Sequence, residues 1–263
     1  MIKIENCEVV GWEHAIRGMR NPLNSWNKSD SIFSKSNHDG TFSGFDTCRN
    51  DLPPCACANF EVLHEDNWTG LLYELGLNDL DLMQRLRAAG TDHRKFMRMI
   101  TVYVDITAPL YWWKEHDQYK VGTTTNSCST MHKIQDKEFT LEDFSCEHLE
   151  RLPRHFANDY EAFYNQDVYL ESTDLLNRII GVLNIARNMY LETKDKRYWW
   201  QMIQLLPSSY NQKRTVMLNY EVLVNMYKSR KGHKLDEWRE FCKWIESLPY
   251  SELITGKVAE KEE

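Results

Sequence analysis

The sequence predicts an α+β protein with a small sheet and a helix-rich second half. The clearest strand signal is an alternation of apolar and more polar residues over Ile100–Ile106. The clearest helix signal is the recurrence of apolar residues every four positions from Leu175 to Leu183. The chain of 263 residues is 42% hydrophobic and 27% charged, so it is long enough and apolar enough to bury a substantial core.

The first sixty residues predict a strand, a helix and a long loop. Ile2–Val10 is typical of a short strand, and Trp12–Met19 has a helical pattern. Asn21–Asn59 is rich in Asn, Ser, Asp, Gly and Pro, which favours a loop or insertion.

The next helix is expected over Asp79–Ala89. Asn78 precedes it as the candidate N-cap, and Gly90 follows it as the stop. Leu82 and Leu86 lie four residues apart and predict its buried face.

Beyond the central strand, Pro109 stands where a helix over Leu110–Tyr119 can begin, because proline costs nothing in a first turn. Val121–Met131 then predicts a polar loop. Further helices are expected over Asp174–Glu192, Tyr198–Leu206, Thr215–Lys228 and Leu235–Leu248, with Pro249 ending the last of them.

We predict a single α+β domain over residues 1–255, with the loop insertion at about 21–59 and a disordered tail at 256–263.

Charge and hydropathy exclude several function classes. The net charge of −7 argues against extended nucleic-acid binding, which needs clustered Lys and Arg. No apolar run approaches the ~18 residues of a membrane span, and Met1–Val10 lacks the features of a signal peptide. We therefore expect a soluble, cytoplasmic protein.

The seven cysteines are scattered, which argues against a disulfide framework. A zinc site can be drawn from a cluster whose spacing lacks the paired CxxC form, so reduced thiols in a loop are favoured and no metal site is predicted. The residues of this cluster are Cys48, Cys55, Cys57, His38 and His64.

Three polar clusters flank the apolar elements: Thr91–Phe96, Gln118–Ser129 and Lys213–His233. The second is dense in hydroxyls and amides that can bind an oxyanion, and Gly122 permits close backbone approach. Each cluster taken alone is also compatible with a solvated surface. No phosphate-binding glycine loop, GxSxG or HExxH motif is present.

The stretch Leu86–Met131 contains, in order, the motifs Arg87-Ala88-Ala89-Gly90, His93, Ile100–Val104, Ala108-Pro109 and Leu110–Trp113. With these motifs it resembles the core of the flavin-dependent thymidylate synthases. A second match begins at Leu206-Pro207 and runs through Asn219, Asn225, Arg230, His233 and Trp238, and a weaker one lies at Ala15-Ile16-Arg17. The resemblance implies a thymidylate synthase-complementing-like fold.

The same resemblance implies reductive methylation of dUMP, or a related pyrimidine nucleotide, at C5. Methylenetetrahydrofolate would supply the carbon, FAD the hydride and NADPH the reducing equivalents, in a homotetramer. In such an enzyme the protein chiefly positions the reactants and stabilises charge.

Carried over position by position, the resemblance implies three sets of site residues. The candidate catalytic residues are Arg230, Ser129 and Cys128. The candidate substrate-binding residues are Glu115, Ser127, Cys128, Ser129, Lys213 and Arg230. The candidate flavin-binding residues are His93, Gln118, Tyr119, Lys120, Asn219, Asn225 and His233.

The signature motif is altered. The Arg-His-Arg triplet of the family becomes Gln118-Tyr119-Lys120, and lysine does not reproduce the bidentate contact of arginine. The later Ser of the motif falls on Cys128, or on Ser129 if one residue is inserted, and its last Arg on Thr130 or Met131. A Gln that touches the nucleotide is replaced by Glu115.

Two alternatives stay open. Cys128 could act as a nucleophile on a pyrimidine ring, because neighbouring cations lower the pKa of a thiol. The scaffold could also be a non-catalytic homologue that binds a nucleotide or a protein after losing FAD.

Overall fold

The computed structural model describes residues 2–35, 71–150 and 172–256. Within them the predicted α+β class is confirmed. The strands are β1 (Lys3–Val10), β2 (Ile32–Lys35), β3 (Leu71–Glu74), β4 (Thr101–Pro109), β5 (Thr124–Ser127) and β6 (Asn211–Asn219). The helices are α1 (Trp12–Arg20), α2 (Leu77–Ala88), α3 (Leu110–His116), α4 (Ser172–Thr193), α5 (Lys196–Leu205), α6 (Tyr220–Arg230), α7 (Asp236–Glu246) and α8 (Glu252–Thr255).

The chain divides into two compact units. The first contains Met1–Glu8, Tyr103–Leu218 and Met226–Ser247. The second contains Val9–Val102, Asn219–Asn225 and Leu248–Glu263. The single-domain boundaries expected from the sequence stay a prediction.

The first unit is built on a four-stranded sheet in the order β1-β4-β6-β5. The alternation of β4 is confirmed, because Val104, Ile106 and Ala108 are all buried. Pro109 ends this strand and is the N-cap of α3, so the helix begins one residue later at Leu110. Strand β5 pairs antiparallel with β6 and places Ser127 opposite Arg214.

An aromatic cluster fills the core beside α3 and α7. The ring centre of Trp112 lies 4.8 Å from that of Trp113, 4.8 Å from that of Trp238 and 5.6 Å from that of Phe241. All four of these rings are buried. Trp113 also donates from Nε1 to the Gln212 carbonyl at 2.9 Å, which ties α3 to β6.

Helices α4 and α5 form a hairpin with a second apolar core. Leu176, Ile180 and Leu183 of α4 pack with Met202 of α5 and with Phe139. The predicted helix over Asp174–Glu192 is therefore confirmed, although its buried stripe follows Leu176 and Ile180 while Leu175 is exposed.

The second unit centres on Trp12. Its ring lies 5.4 Å from Tyr73, 5.3 Å from Tyr220 and 5.2 Å from Tyr250, measured between ring centres. Gly11 precedes it with φ 96°, and a Cβ at that position would lie 2.0 Å from the Met99 carbonyl oxygen. Only glycine fits this approach of the chain to the start of α1.

A buried ion pair anchors α2 to α1 in the same unit. Arg20 Nε donates to Asp79 Oδ1 at 2.6 Å, and the Ser29 and Ser31 hydroxyls donate to Asp79 Oδ2 at 2.6 and 2.7 Å. The predicted cap at Asn78 is wrong. The start of α2 is instead held by Asp30, whose carboxylate accepts from the backbone N–H of Asn78 at 2.9 Å.

The helix predicted over Thr215–Lys228 is confirmed from Tyr220 onward and wrong over its first five residues. Strand β6 runs through Asn219 before α6 begins, because Val216 and Leu218 are buried on one side of the sheet while Thr215 is exposed on the other. Asn219 Oδ1 then accepts from the Val222 N–H at 2.9 Å and caps the helix.

The structure changes one of the two loop predictions, and it describes only part of the residues to which the other applies. The expected loop over Val121–Met131 contains β5, because its polar residues pair with β6 along an exposed edge of the sheet. In the described part of Asn21–Asn59, the chain forms two short 3-10 turns and then β2. The cluster of Cys48, Cys55, Cys57, His38 and His64, and all of the predicted tail except Gly256, lie outside the described residues. Over the described ranges, no helix is long and apolar enough to cross a membrane.

Candidate functional site

Five side chains of the first unit converge around one guanidinium, and we call them the Arg230 cluster: Glu115, Tyr119, Arg230, His233 and Trp238. Arg230 Nη1 donates to Glu115 Oε2 at 2.6 Å, and its Nε donates to the Tyr119 hydroxyl at 3.0 Å. Trp238 Nε1 donates to the same Glu115 oxygen at 3.0 Å. His233 Nε2 lies 3.5 Å from it.

Three residues of the Arg230 cluster lie on three different helices. Glu115 is in the last turn of α3, Arg230 is the last residue of α6, and Trp238 is in the first turn of α7. The end of a helix carries partial negative charge, which favours the cation of Arg230 at that position. His233 is fixed in the connection because its Nδ1 accepts from the Leu235 N–H at 3.2 Å.

The Arg230 guanidinium lies close to two aromatic rings. Its guanidinium carbon lies 4.6 Å from the centre of the Trp238 ring and 5.6 Å from that of Tyr119. The side chain is only 18% exposed and Glu115 is 36% exposed, so the pair is screened less than a surface ion pair. The geometry offers a pre-oriented planar donor beside aromatic faces, which suits the edge of a flat heterocycle.

A second polar group lies on the sheet, around Asp105 of β4. Thr215 Oγ1 donates to Asp105 Oδ1 at 2.6 Å, Asn6 Nδ2 donates to Oδ2 at 3.0 Å, and Lys213 Nζ lies 3.1 Å from Oδ2. These contacts, led by the Thr215 hydroxyl, lower the pKa of Asp105 to about 2. Asp105 in turn raises the pKa of Lys213.

A pocket of about 170 Å³ opens where β5 ends, lined by Thr107, Cys128–Thr130 and Tyr210–Lys213. Cys128 is exposed, and its backbone N–H donates to the Lys213 carbonyl at 2.9 Å. The Ser129 hydroxyl oxygen accepts from the N–H groups of Met131 and His132 at 3.2 and 2.9 Å. Ser129 therefore keeps its hydroxyl hydrogen for another acceptor.

Comparison with known proteins gives a match at the level of fold. No protein-family profile and no curated protein sequence matches the chain. Two crystal structures of the flavin-dependent thymidylate synthase ThyX of Helicobacter pylori, both with FAD and dUMP, superpose with a TM-score of 0.56 at 14% identity. The aligned regions cover 96% and 97% of this chain and 97% of each of those chains.

A third match is the UMP/dUMP methylase PolB of Streptomyces cacaoi bound to 5-Br dUMP, with a TM-score of 0.51 at 12% identity. It covers 97% of this chain and 95% of that one. The chain has the fold of these enzymes. The small sheet with a helix-rich second half, predicted from the sequence, is confirmed by this likeness, which at such identity speaks for the fold alone.

The flavin-binding residues predicted in the first unit differ in whether their side chains already have a hydrogen-bond partner. Lys120 is an exposed cation. Gln118 Nε2 donates to the Lys114 carbonyl at 3.2 Å, and the hydroxyl of Tyr119 accepts from Arg230. Lys120 is therefore the member of the altered triplet that suits a phosphate group of FAD.

The flavin-binding residues predicted in the second unit are His93, Asn219 and Asn225. His93 and Asn225 have exposed side chains that can donate to the carbonyl or nitrogen edge of a flavin. Asn219 uses its side-chain oxygen to cap α6, which leaves its amide N–H groups as donors. The donor set of these residues fits a flavin.

Sequence reasoning missed two carboxylates that pair with cations of the third polar cluster. Asp105 pairs with Lys213. The sequence feature that could have identified Asp105 is its charge within an otherwise apolar and hydroxyl-rich strand. Asp117 pairs with Arg214 at 2.7 Å, while the Arg214 guanidinium carbon lies 4.2 Å from the centre of the Trp113 ring, and no sequence pattern links these residues. Over residues 2–35, 71–150 and 172–256, no group of three or more His, Cys, Asp or Glu side chains is arranged to hold a metal.

Proposed function

We propose that this protein is a flavin-dependent enzyme that methylates C5 of dUMP or a closely related pyrimidine. Methylenetetrahydrofolate donates the carbon, and NADPH reduces the FAD. The fold shared with ThyX and PolB supports this class of enzyme. The observation that carries the proposal is the Arg230 cluster, in which a guanidinium lies close to two aromatic rings.

In this proposal, Arg230 binds the carbonyl edge of the pyrimidine ring. C5 can attack the electrophilic one-carbon unit only when the ring is made electron-rich, which places negative charge on its carbonyl oxygens, and a pre-oriented guanidinium stabilises that charge without reorganising. Glu115 and Trp238 position the guanidinium through the contacts described above. The reaction exchanges the hydrogen at C5 for a methyl group.

Flavin contacts in the first unit are assigned to the exposed donor Lys120, with Gln118, Tyr119 and His233. Flavin contacts in the second unit are assigned, separately, to the exposed donors His93 and Asn225 and to Asn219. The chemistry that reduced FAD supplies here is a hydride for the one-carbon unit. Every other task, namely binding, orientation and stabilisation of charge, falls to side chains of the protein.

The pocket at the end of β5 is assigned to the substrate. Ser129 donates its free hydroxyl hydrogen to the nucleotide, and Ser127, Cys128 and Lys213 line the approach. Both serines and the cysteine are carried by β5 and the residues that directly follow it, so pairing with β6 fixes their position.

A second candidate function has one specific observation in its favour. Cys128 is an exposed thiol in the lining of that pocket, together with Lys213, which suits a nucleophile that attacks a pyrimidine ring. This alternative retains the substrate class and changes the chemistry.

We further propose that the protein is cytoplasmic and assembles as a homotetramer, with α4 forming one interface between two copies. Leu175, Val182 and Ile185 are exposed on α4, and Ile185 is 65% exposed. Arg178 and Glu192 lie seven residues before and after Ile185, which is two helical turns and therefore the same face. Two antiparallel copies related by a two-fold axis at Ile185 would place Arg178 of one opposite Glu192 of the other.

The flavin part of the proposal is tested by the absorbance spectrum of the purified protein after incubation with FAD and removal of free flavin. We expect flavin bands that remain with the protein, and weaker retention in Lys120→Ala. Lys114→Ala removes another exposed lysine from the same region and is the matched control. A colourless wild-type protein would contradict the proposal.

A further inference from the structure

Three cations of the first unit each have a carboxylate partner. Lys213 Nζ lies 3.1 Å from Asp105, Arg214 Nη1 lies 2.7 Å from Asp117, and Arg230 Nη1 lies 2.6 Å from Glu115. Two of these cations, Lys213 and Arg230, are the ones assigned to the substrate. Each pair has no net charge, so neither presents an isolated positive charge to a ligand.

The carboxylates are fixed by further donors. Asp105 also accepts hydrogen bonds from Thr215 and Asn6, on two neighbouring strands. Glu115 also accepts from the indole N–H of Trp238. A ligand that displaced either carboxylate would break these additional hydrogen bonds.

A phosphate monoester carries close to two negative charges at neutral pH. Beside Lys213 it would meet the negative charge of Asp105 within a few ångströms of the cation, which offsets the attraction. Asp105 stays ionised under these conditions, because its pKa lies near 2. The neutral edge of a pyrimidine ring is not repelled by a nearby carboxylate in this way. At Arg230 it can accept hydrogen bonds from the guanidinium.

We propose, on the basis of the function proposed above, that the site selects its substrate through the pyrimidine ring and gains little from the phosphate. The substrate class therefore includes phosphate-free pyrimidine nucleosides. Asp105 sets this preference by neutralising Lys213, while Glu115 orients the Arg230 guanidinium, whose N–H groups donate to the ring.

The test is equilibrium binding of dUMP and of deoxyuridine to the full-length protein, with Asp105→Asn measured in parallel. We expect the two ligands to bind the wild type with dissociation constants that differ by less than about fivefold. In Asp105→Asn, Lys213 loses its counter-charge, so dUMP should bind roughly tenfold or more tightly than in the wild type. Deoxyuridine should bind this variant as it binds the wild type, which also reports that the site is folded.

Asp136→Asn is the control for a general charge effect, since Asp136 pairs with Lys133 in an exposed turn. It should alter neither dissociation constant. If dUMP binds the wild type much more than fivefold tighter than deoxyuridine, the inference is overturned while the proposed function stands. If neither ligand binds, the proposed function fails together with the inference.

Discussion

The guanidinium carbon of Arg230 lies 4.6 Å from the centre of the Trp238 ring, while Nη1 of the same group donates to Glu115 at 2.6 Å. The ring packs against the guanidinium, and the carboxylate fixes one of its N–H groups by a hydrogen bond. Lysine can satisfy neither constraint, because its ammonium is a point charge on a flexible stem.

Replacing Arg230 with lysine should therefore lower the turnover of dUMP by roughly 100-fold, the cost of losing one well-placed donor to developing charge. The melting temperature should change little. Steady-state kinetics of Arg230→Lys check this, with Arg239→Lys, an exposed arginine of α7, as the control. Equal activity in both variants would remove Arg230 from the reaction.

The variant Cys128→Ser separates the two candidate chemistries. If hydride transfer from the flavin drives the reaction, the serine variant should keep turnover within a few-fold of the wild type, because Cys128 only lines the pocket. Complete loss of turnover with flavin binding intact would favour the thiol nucleophile. The measurement is dUMP turnover by flavin-loaded protein.

Asp79 is expected to be a principal stabilising residue of the second unit. It is fully buried and accepts from Arg20, Ser29 and Ser31, so Asp79→Asn leaves a buried arginine without its counter-charge. Breaking a buried pair in this way should cost about 3–5 kcal/mol of unfolding free energy, measured by denaturant titration. Asp81→Asn, on the same helix, breaks the exposed pair with Arg85 and should cost no more than about 0.5 kcal/mol.

His116 should make the protein acid-sensitive. It is 1% exposed, neither ring nitrogen has a hydrogen-bond partner among the described residues, and burial lowers its pKa to about 4. Asp117 opposes this shift and Arg214 adds to it. An exposed imidazole has a pKa of ~6.5. As the pH falls below this value, His116 is protonated in the unfolded chain but not in the folded chain, so unfolding is favoured.

The wild type should accordingly lose up to about 3 kcal/mol relative to His116→Leu between pH 6.5 and 4. Replacing His116 with leucine removes no hydrogen bond, because neither ring nitrogen of His116 has a partner among the described residues. Unfolding free energies of the two proteins at several pH values test this, with exposed His132→Leu as the control. Parallel pH profiles for the wild type and His116→Leu would show that His116 does not titrate in this range.

Self-association through α4 should depend on Ile185. A glutamate there would place two negative charges at the centre of the proposed two-fold contact, so Ile185→Glu should lower the oligomeric mass seen by analytical ultracentrifugation. Glu192→Arg should weaken assembly, and Arg178→Glu combined with Glu192→Arg should restore it. A wild-type monomer would contradict the proposed assembly.

Periodicity explains which elements the sequence predicted. Strand β4 and helix α4 have long, regular apolar patterns, and both were found where expected. The junction at Asn219 contains no Gly or Pro, and α6 is buried at Val222, Leu223 and Val224 in succession. The apolar residues of β6 therefore merged with those of α6 into an apparent helix.

Long-range contacts explain the other differences. The N-terminus of α2 is held by Asp30, 48 residues earlier than Asn78, and no local rule identifies such a cap. The pairing of Lys213 with Asp105 joins two strands of the sheet, and a sequence pattern that predicts a helix over 215–228 gives no reason to place these two residues together. Glu115 and Arg230, by contrast, were named from the resemblance and lie in direct contact.

The most direct test of the account is incubation of the flavin-loaded protein with dUMP, methylenetetrahydrofolate and NADPH, followed by mass spectrometry of the nucleotide. We expect a product that is heavier by one methylene group and methylated at C5, and that is absent when either FAD or the folate is omitted. Unchanged dUMP from a protein that retains its flavin would contradict the proposed reaction.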